Sequence, residues 1–140
     1  MDSPQARDNA GLAFAILRIM LGLNIFMHGV SRILSGQATF VASMTKMFQD
    51  TILPVAIVVP FGYALPWLEA VIGLLILIGL RTREALVSGA VLMLVLTFGT
   101  VLRQDWNAAA IQLFYCAIYA ALIANVHHNK LAVDEFLFTA

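Results

Sequence analysis

Hydrophobic residues in this chain form four long apolar runs separated by short polar stretches. The runs cover about 11–34, 63–80, 84–102 and 106–126. A helix that spans a bilayer needs roughly 20 mainly apolar residues, and each run provides about that many. Because only a few residues join the last three runs, consecutive helices must be antiparallel neighbours. The pattern predicts an all-α fold, a four-transmembrane-helix antiparallel bundle, built as one integral membrane domain over residues 1–140.

The connection between the first two runs is much longer than the others. Within it, apolar residues recur at helical spacing with polar residues between them: Phe40, Met44, Met47, Phe48 and Ile52. This pattern predicts an amphipathic segment over about 39–53, which lies on the membrane surface or re-enters the membrane as a lid. An ordinary packed loop is the alternative. The short tail after Lys130 is weakly amphipathic and is predicted to lie along the interface.

The composition supports a membrane environment. The chain is 61% hydrophobic and 11% charged, with a mean hydropathy of +0.91, whereas a soluble domain is about 25% charged. A short chain cannot bury so much apolar surface in a soluble core, so the lipid bilayer is its expected surrounding. A net charge of zero gives no reason to expect nucleic acid as a partner. The single cysteine, Cys116, excludes a disulfide within the chain.

The two ends of the chain have no strong signal for orientation. The polar N-terminus lacks the basic start and the cleavage site of a signal peptide, so the first run is expected to be retained as a span. The positive-inside rule favours both termini inside by one residue. That arrangement places Arg7, Arg81, Arg83 and Lys130 inside, and Arg32, Lys46 and Arg103 outside.

Several ionisable residues fall within the predicted spans, where each costs about 2.5–3.5 kcal/mol unless it faces the bundle interior. At about 100° per residue, one stripe of the first helix contains Arg18, Gly22, Ile25, Gly29 and Arg32. A neighbouring stripe contains Asn24, His28 and Ser31. One face of the second helix contains Gly62, Pro66, Glu69, Gly73 and Ile76. Glycines allow close approach of helices, so the two glycine-bearing faces are predicted to meet.

Polar residues concentrate in the half of the membrane nearest the long first connection. The candidate ligand-binding or proton-exchange cluster consists of His28, Arg32, Glu69, Asn24 and Gln112. Other polar residues expected to be buried lie in the opposite half, where Tyr119, Ser88 or a lipid phosphate is the expected partner of Arg18. No catalytic residue is assigned.

The cluster has a structural and a functional interpretation. As structure, it is a set of hydrogen bonds between helices, each worth about 0.6–2 kcal/mol in a membrane. As function, it is a pocket for a quinone head group, to which His28, Arg32 and Gln112 donate while Glu69 exchanges protons.

Other cofactors are not indicated by the sequence. His28 lies in one half of the membrane, whereas His127 and His128 lie at the opposite surface, roughly 20 Å or more away along the normal. One haem cannot be held across that separation, so no haem is expected within this chain. His127 and His128 are interpreted as interface residues at a helix end, with a metal or pigment from a partner subunit as the alternative. No metal and no covalently bound cofactor are expected in this chain. Nucleotide, zinc-protease and hydrolase motifs are absent from the sequence.

Several short motifs resemble the DoxX family of small four-helix membrane proteins. The residues that carry the resemblance are Arg18–Gly22, Phe26–Gly29, Arg32, Leu65–Glu69, Gly73–Gly79 and Arg81–Arg83. Where family members have a lysine after the His-Gly pair, this chain has Arg32. The resemblance implies a prokaryotic cytoplasmic membrane protein linked to respiration or sulfur redox chemistry, with Arg18, His28 and Glu69 as the positions that matter most.

Three functions remain open at this point. The first is a quinone- or respiration-linked redox subunit with a bound quinone. The second is a non-catalytic accessory subunit of a larger membrane electron-transfer complex, or one that docks a soluble redox partner, through small-residue faces at Ser88–Gly89 and Ala108–Ala110. The third is a small proton-coupled transporter with Glu69 as the coupling carboxylate.

Overall fold

The structure is a computed structural model that describes residues 4–138, and the chain is helical over most of that range without any strand. The first three residues of the predicted polar N-terminus and the last two of the predicted tail lie outside the described residues. The helices are α1 (Pro4–Leu34), α2 (Gln37–Phe48), α3 (Val55–Ile78), α4 (Thr82–Leu102), α5 (Trp106–Ala124) and α6 (Val133–Phe138), with a 3-10 helix at Val126–His128.

Four of these helices, α1, α3, α4 and α5, are long and apolar enough to cross a membrane. Their neighbours in space follow the order α1–α3–α4–α5, and α5 returns to touch α1. Each helix therefore packs beside the next one in a closed ring of four. The predicted all-α fold with four spanning helices is confirmed.

The second spanning helix begins earlier than predicted. Pro54 is the N-cap of α3, and the helix continues through Pro60 and Pro66, although the apolar pattern predicted a start near residue 63. Proline removes one backbone hydrogen bond inside a helix, but neighbouring helices allow membrane helices to tolerate this loss.

The long connection contains a real helix, so the packed-loop alternative is wrong. α2 packs on α3, where a methyl group added at Gly62 would contact Val41 and Met44. At its other end, Phe48 is buried against Gly99 of α4. Small residues on the spanning helices thus leave space for the side chains of α2 to pack.

The closest contact in the bundle is between α1 and α3. A methyl group added at Gly22 would collide with the backbone of Leu77, and one added at Gly29 would collide with the backbone of Ala70. From the other side, Gly73 lies against the backbone of Phe26. The two predicted glycine-bearing faces therefore meet with their backbones in contact.

A network of hydrogen bonds joins the α3–α4 turn to the C-terminal tail at one end of the bundle. The α3–α4 turn places Gly79 and Arg81 in left-handed conformations. Asp134 caps α4 by accepting hydrogen bonds from the backbone N–H groups of Arg81 (2.7 Å) and Thr82 (2.8 Å) and from the Thr82 hydroxyl (2.7 Å). The Asp134 backbone N–H donates to the Gly79 carbonyl at 2.9 Å. The C-terminal tail is thereby fixed to the bundle.

The capping contacts determine the ionisation of Asp134. Partial burial raises the pKa of Asp134, but the hydrogen bonds from Thr82 and Arg81, together with the positive charge of Arg18, outweigh this effect and hold the pKa below its ordinary value. The ionised carboxylate is also favoured at the positive end of the α4 helix dipole.

We expect replacement of Asp134 by asparagine to destabilise the fold at neutral pH. The folded pKa is below the unfolded value of about 3.9, so the carboxylate contributes stability that is present above that value and is lost as pH falls through the folded pKa. Melting temperatures of wild type and Asp134→Asn in a non-ionic detergent should differ at pH 7 and converge in acid. A difference that stays constant with pH, or one equalled by the exposed control Asp50→Asn, would contradict this assignment.

We also expect Gly29→Ala to lower the melting temperature, because the new methyl group has backbone rather than flexible side chain in front of it. Overpacking of this kind costs about 1–3 kcal/mol. Gly11→Ala is the matched control on the same helix, since its methyl group would meet only the Lys130 side chain. Both variants gain helix propensity, so a rise in both melting temperatures would show that α1 and α3 are not in close contact.

A candidate ligand cavity beneath α2

Arg32 links three helices at one end of α2. The guanidinium of Arg32, near the end of α1, donates to Glu69 Oε2 on α3. The Glu69 side chain is 6% exposed and that of Arg32 is 28% exposed. The Arg32 guanidinium also lies over the Phe40 ring of α2, 4.8 Å from its centroid. Glu69 therefore has a compensating charge inside the bundle, as a buried carboxylate requires.

A second arginine holds the opposite end of α2. The Arg103 guanidinium lies 5.5 Å from the centroid of the Phe48 ring. It donates to Asp105 at 2.8 Å and contacts the Met47 sulfur at 3.3 Å. Cation–π contacts are worth about 0.5–2 kcal/mol depending on their burial. Two such contacts, one at each end, hold α2 over the spanning helices.

Beneath α2 is a cavity of about 450 Å³ between α3, α4 and α5. Small-molecule sites usually measure about 300–1,000 Å³. The walls are mainly apolar side chains of α2, α3 and α4, and the polar residues at the cavity are Arg32, Ser43, Thr100, Arg103 and Gln112. A mostly apolar cavity with a few convergent polar groups is the general form of a ligand site.

The Gln112 amide is the polar group that α5 contributes to the cavity. The Thr100 hydroxyl donates to Gln112 Oε1 at 2.5 Å, and Thr100 is itself buried. No further hydrogen bond to the Gln112 amide occurs among the described residues. The Gln112 carbonyl oxygen is thus held in place, and its amide N–H groups are available to a ligand.

The cavity borders the lipid-facing side of the bundle. Ile57 on α3 and Val95 and Phe98 on α4 line it, and these side chains are 57%, 47% and 58% exposed. Apolar side chains on the outside of spanning helices face the hydrocarbon of the bilayer. The cavity therefore has lipid-facing side chains of α3 and α4 among its walls.

Of the five residues predicted from the sequence to form one cluster, the structure places three at or beside the cavity and two elsewhere. Arg32 and Gln112 line the cavity, and Glu69 is bonded to Arg32. His28 is exposed and does not line it, and Asn24 accepts a hydrogen bond from the Tyr115 hydroxyl (2.9 Å) elsewhere. The expectation that all five residues form one cluster is wrong, because α3 packs on the Gly22–Gly29 face and a residue adjacent to Gly29 points about 100° away.

Arg18 is fully buried, as expected, but its predicted partners are wrong. Its guanidinium donates to the backbone carbonyls of Ile76 (2.8 Å), Leu77 (2.9 Å) and Leu131 (2.8 Å). The last turn of a helix has carbonyls without intrahelical partners, and Arg18 bonds two of them at the end of α3. It also joins the C-terminal tail to the bundle.

The two residues predicted to bond Arg18 have other surroundings. Tyr119 is buried against Gly89, while Ser88 is exposed and so is not a buried polar residue. Because Gly89 is covered by Tyr119, it is also unavailable as part of a small-residue docking face. The direction of each residue around α4 explains both outcomes, since adjacent residues point about 100° apart.

Sequence reasoning missed the residues that hold α2. Phe40 and Phe48 were recognised only as part of an apolar pattern, and Arg103 and Thr100 were not singled out as site residues. The signal was present in part, since an arginine lies at the C-terminal end of two spanning helices, Arg32 on α1 and Arg103 after α4. Which ring each arginine contacts depends on the packing of α2.

We expect Arg18→Met to destabilise the protein by about 2–5 kcal/mol, because three backbone carbonyls lose hydrogen bonds from a buried guanidinium. The free energy of unfolding in detergent measures this, with the exposed Arg7→Met as control. The tail should also become more accessible to protease in Arg18→Met, since the contact with Leu131 is lost. Equal stability of the two variants would show that the carbonyl contacts contribute nothing.

Comparison with known proteins identifies the family. No curated protein and no solved structure matches the chain. A family model described as methylamine utilisation protein MauE matches residues 10–134, which include nearly all of the four spanning helices. The resemblance to DoxX is therefore right only at the level of a related small multi-helix membrane family, because the matching family is not DoxX itself. The chain is an integral membrane protein, and it belongs to the MauE family of methylamine utilisation proteins.

Proposed function

We propose that this protein is a membrane accessory subunit of a redox system and that the cavity beneath α2 binds a quinone-class molecule. The observation that carries the proposal is the apolar cavity of about 450 Å³ that contains Arg32, Thr100 and Gln112 and borders the lipid. We further propose a prokaryotic cytoplasmic membrane with both termini inside, as the positive-inside rule favours.

The polar groups of the cavity suit a ligand with carbonyl oxygens. The Arg32 guanidinium has five N–H donors, of which one Nη1 donor is given to Glu69. Gln112 has half of its amide available on the α5 side. A quinone has two carbonyl oxygens on opposite sides of an apolar ring, and this arrangement offers a donor to each.

The charges at the cavity favour a neutral ligand over an anion. Arg32 is paired with Glu69, and Arg103 is paired with Asp105. Each arginine charge is therefore compensated before a ligand arrives. A lipid-soluble quinone matches this balance better than a fatty acid does, since an added carboxylate would have to compete with Glu69 or Asp105 for its partner.

Glu69 has a proposed role in proton exchange beside the ligand. It is buried and bonded to the guanidinium that also faces the cavity. A ligand carbonyl that accepts a hydrogen bond from Arg32 would compete with Glu69 for the guanidinium. Ligand binding would then be linked to the contacts of the Glu69 carboxylate.

The accessory role is proposed from the family. Its description names methylamine utilisation, and we propose that this chain acts with a larger membrane complex or a soluble redox partner of such a system. Co-purification in mild detergent followed by identification of the bound proteins tests this role separately from quinone binding.

We expect a short-chain benzoquinone analogue to raise the melting temperature of the purified protein. A ligand at 100 times its dissociation constant stabilises by about 2.7 kcal/mol. Gln112→Leu and the cavity-filling Leu96→Phe should reduce or abolish the shift, and both leave the Arg32–Glu69 pair in place. Arg83→Gln, an exposed arginine at the other end of the bundle, is the control and should retain the full shift.

Three results would contradict quinone binding at this site. The first is no shift in wild type at saturating analogue. The second is a shift of equal size in Gln112→Leu and Leu96→Phe. The third is an equal shift with an alkylbenzene that has the same tail and no carbonyl groups, which would show that the cavity recognises only apolar bulk.

A further inference from the structure

The side of the bundle opposite the α3–α4 pair, where α1 meets α5, is loosely packed. α1 and α5 close the ring with little contact, and a groove of about 320 Å³ lies between them, lined by Leu17, Met20 and Asn24 on one helix and by Ile111, Phe114 and Tyr115 on the other. α5 is the least buried of the four spans, with 11% of its most apolar stretch inside the protein. We call this groove and the adjoining face of α1 the α1–α5 seam.

A polar stripe of α1 lies on the seam at the depth of the hydrocarbon. Gly29 packs against Ala70 and Pro66, close to the middle of α3 (Val55–Ile78). His28 adjoins Gly29, so it lies within the apolar span, level with the middle turns of α3. It is exposed, and its ring has no hydrogen-bond partner among the described residues. An ionisable side chain in this place normally faces a polar partner rather than lipid.

The neighbours of His28 on this stripe are polar too. Asn24 precedes it by one helical turn, and its amide oxygen accepts a hydrogen bond from Tyr115 (2.9 Å), which leaves the amide N–H groups available. Ser31 follows, with its hydroxyl bonded to the His28 carbonyl (3.1 Å). An amide, an imidazole and a hydroxyl can each donate and accept. The stripe is thus polar without an unpaired carboxylate, ammonium or guanidinium group.

We propose that the α1–α5 seam is the interface between two copies of this chain. Copies inserted in the same orientation and related by a two-fold axis along the membrane normal place each residue at the depth of its equivalent. The Asn24–His28–Ser31 stripe of one copy then meets the same donors and acceptors of the other. Because the stripe supplies both kinds of group, it needs no charged partner from a different protein.

The apolar residues of the seam fit the same arrangement. Met20 and Met27 are 62% and 48% exposed beside the stripe, and Phe114 is 77% exposed across the groove. Methionine side chains adapt to irregular gaps, so these residues of one copy can fill the groove of the other. The seam shares no residue with the cavity beneath α2, and the proposal does not depend on quinone binding.

Site-directed cross-linking in membranes tests the interface directly. In a Cys116→Ala background, which removes the only cysteine, single cysteines replace Met20 or Met27 on the seam, and Val91 or Leu94 on α4 as controls of similar exposure. Mild oxidation at low expression should produce a disulfide-linked dimer with Met20→Cys or Met27→Cys. The Val91→Cys and Leu94→Cys variants should remain monomeric.

A second measurement tests the role of the polar stripe. Light scattering of the purified protein in detergent should give a protein mass of twice 15.3 kDa. His28→Leu should raise the dimer dissociation constant roughly three- to tenfold, as expected when interhelical hydrogen bonds in a membrane are lost, while Ser88→Leu, on an exposed face of α4, should leave it unchanged. His28→Gln retains a donor and an acceptor and should restore most of the affinity.

The proposal is overturned by a monomeric mass together with no cross-linking at the seam, or by equal cross-linking at the seam and on α4. Cross-linking of the seam cysteines only to a different protein would also overturn it and would assign this surface to another partner. A dimer whose dissociation constant is unaffected by His28→Leu would exclude the polar stripe as its basis.

Discussion

The rest of this bundle depends on the contact between the backbones of α1 and α3. Gly22 and Gly29 on one helix and Gly73 on the other bring the two main chains together. Lipid provides little hydrophobic drive for helix association, so close packing and polar bonds must provide it. This single contact fixes the register of the two helices, and the register decides which polar groups meet at each end.

The two arginines on the packed stripe of α1, Arg18 and Arg32, have different partners that compensate for the burial of their charge. Arg18 donates to the carbonyls of Ile76, Leu77 and Leu131, and no carboxylate among residues 4–138 is bonded to it. Arg32 is paired with Glu69. The first arrangement spreads one charge over backbone dipoles and fixes the tail, so it is structural. The second leaves guanidinium N–H groups at the edge of a cavity, where a ligand can use them.

The features that follow from a periodic sequence pattern could be predicted. The features that depend on a specific contact between distant residues could not. Run lengths indicated four spans, and helical geometry placed Gly29 and Glu69 on facing stripes. Backbone carbonyls leave no signal in a sequence, so the partners of Arg18 could not be found that way. Asp134 caps a helix that begins about fifty residues earlier, and no local pattern indicates this contact. His28 points outward because the glycines of α1 determine which face packs against α3.

The ring order of the helices separates the two proposed sites. α1 and α5 form one side of the ring, and α3 and α4, between which the cavity borders the lipid, form the opposite side. α5 contributes to both, since Gln112 lines the cavity and Tyr115, about one turn further along the helix, lies in the seam. A second copy on the α1–α5 seam would therefore leave the α3–α4 side facing lipid, so a membrane-dissolved ligand could enter each subunit of the dimer independently.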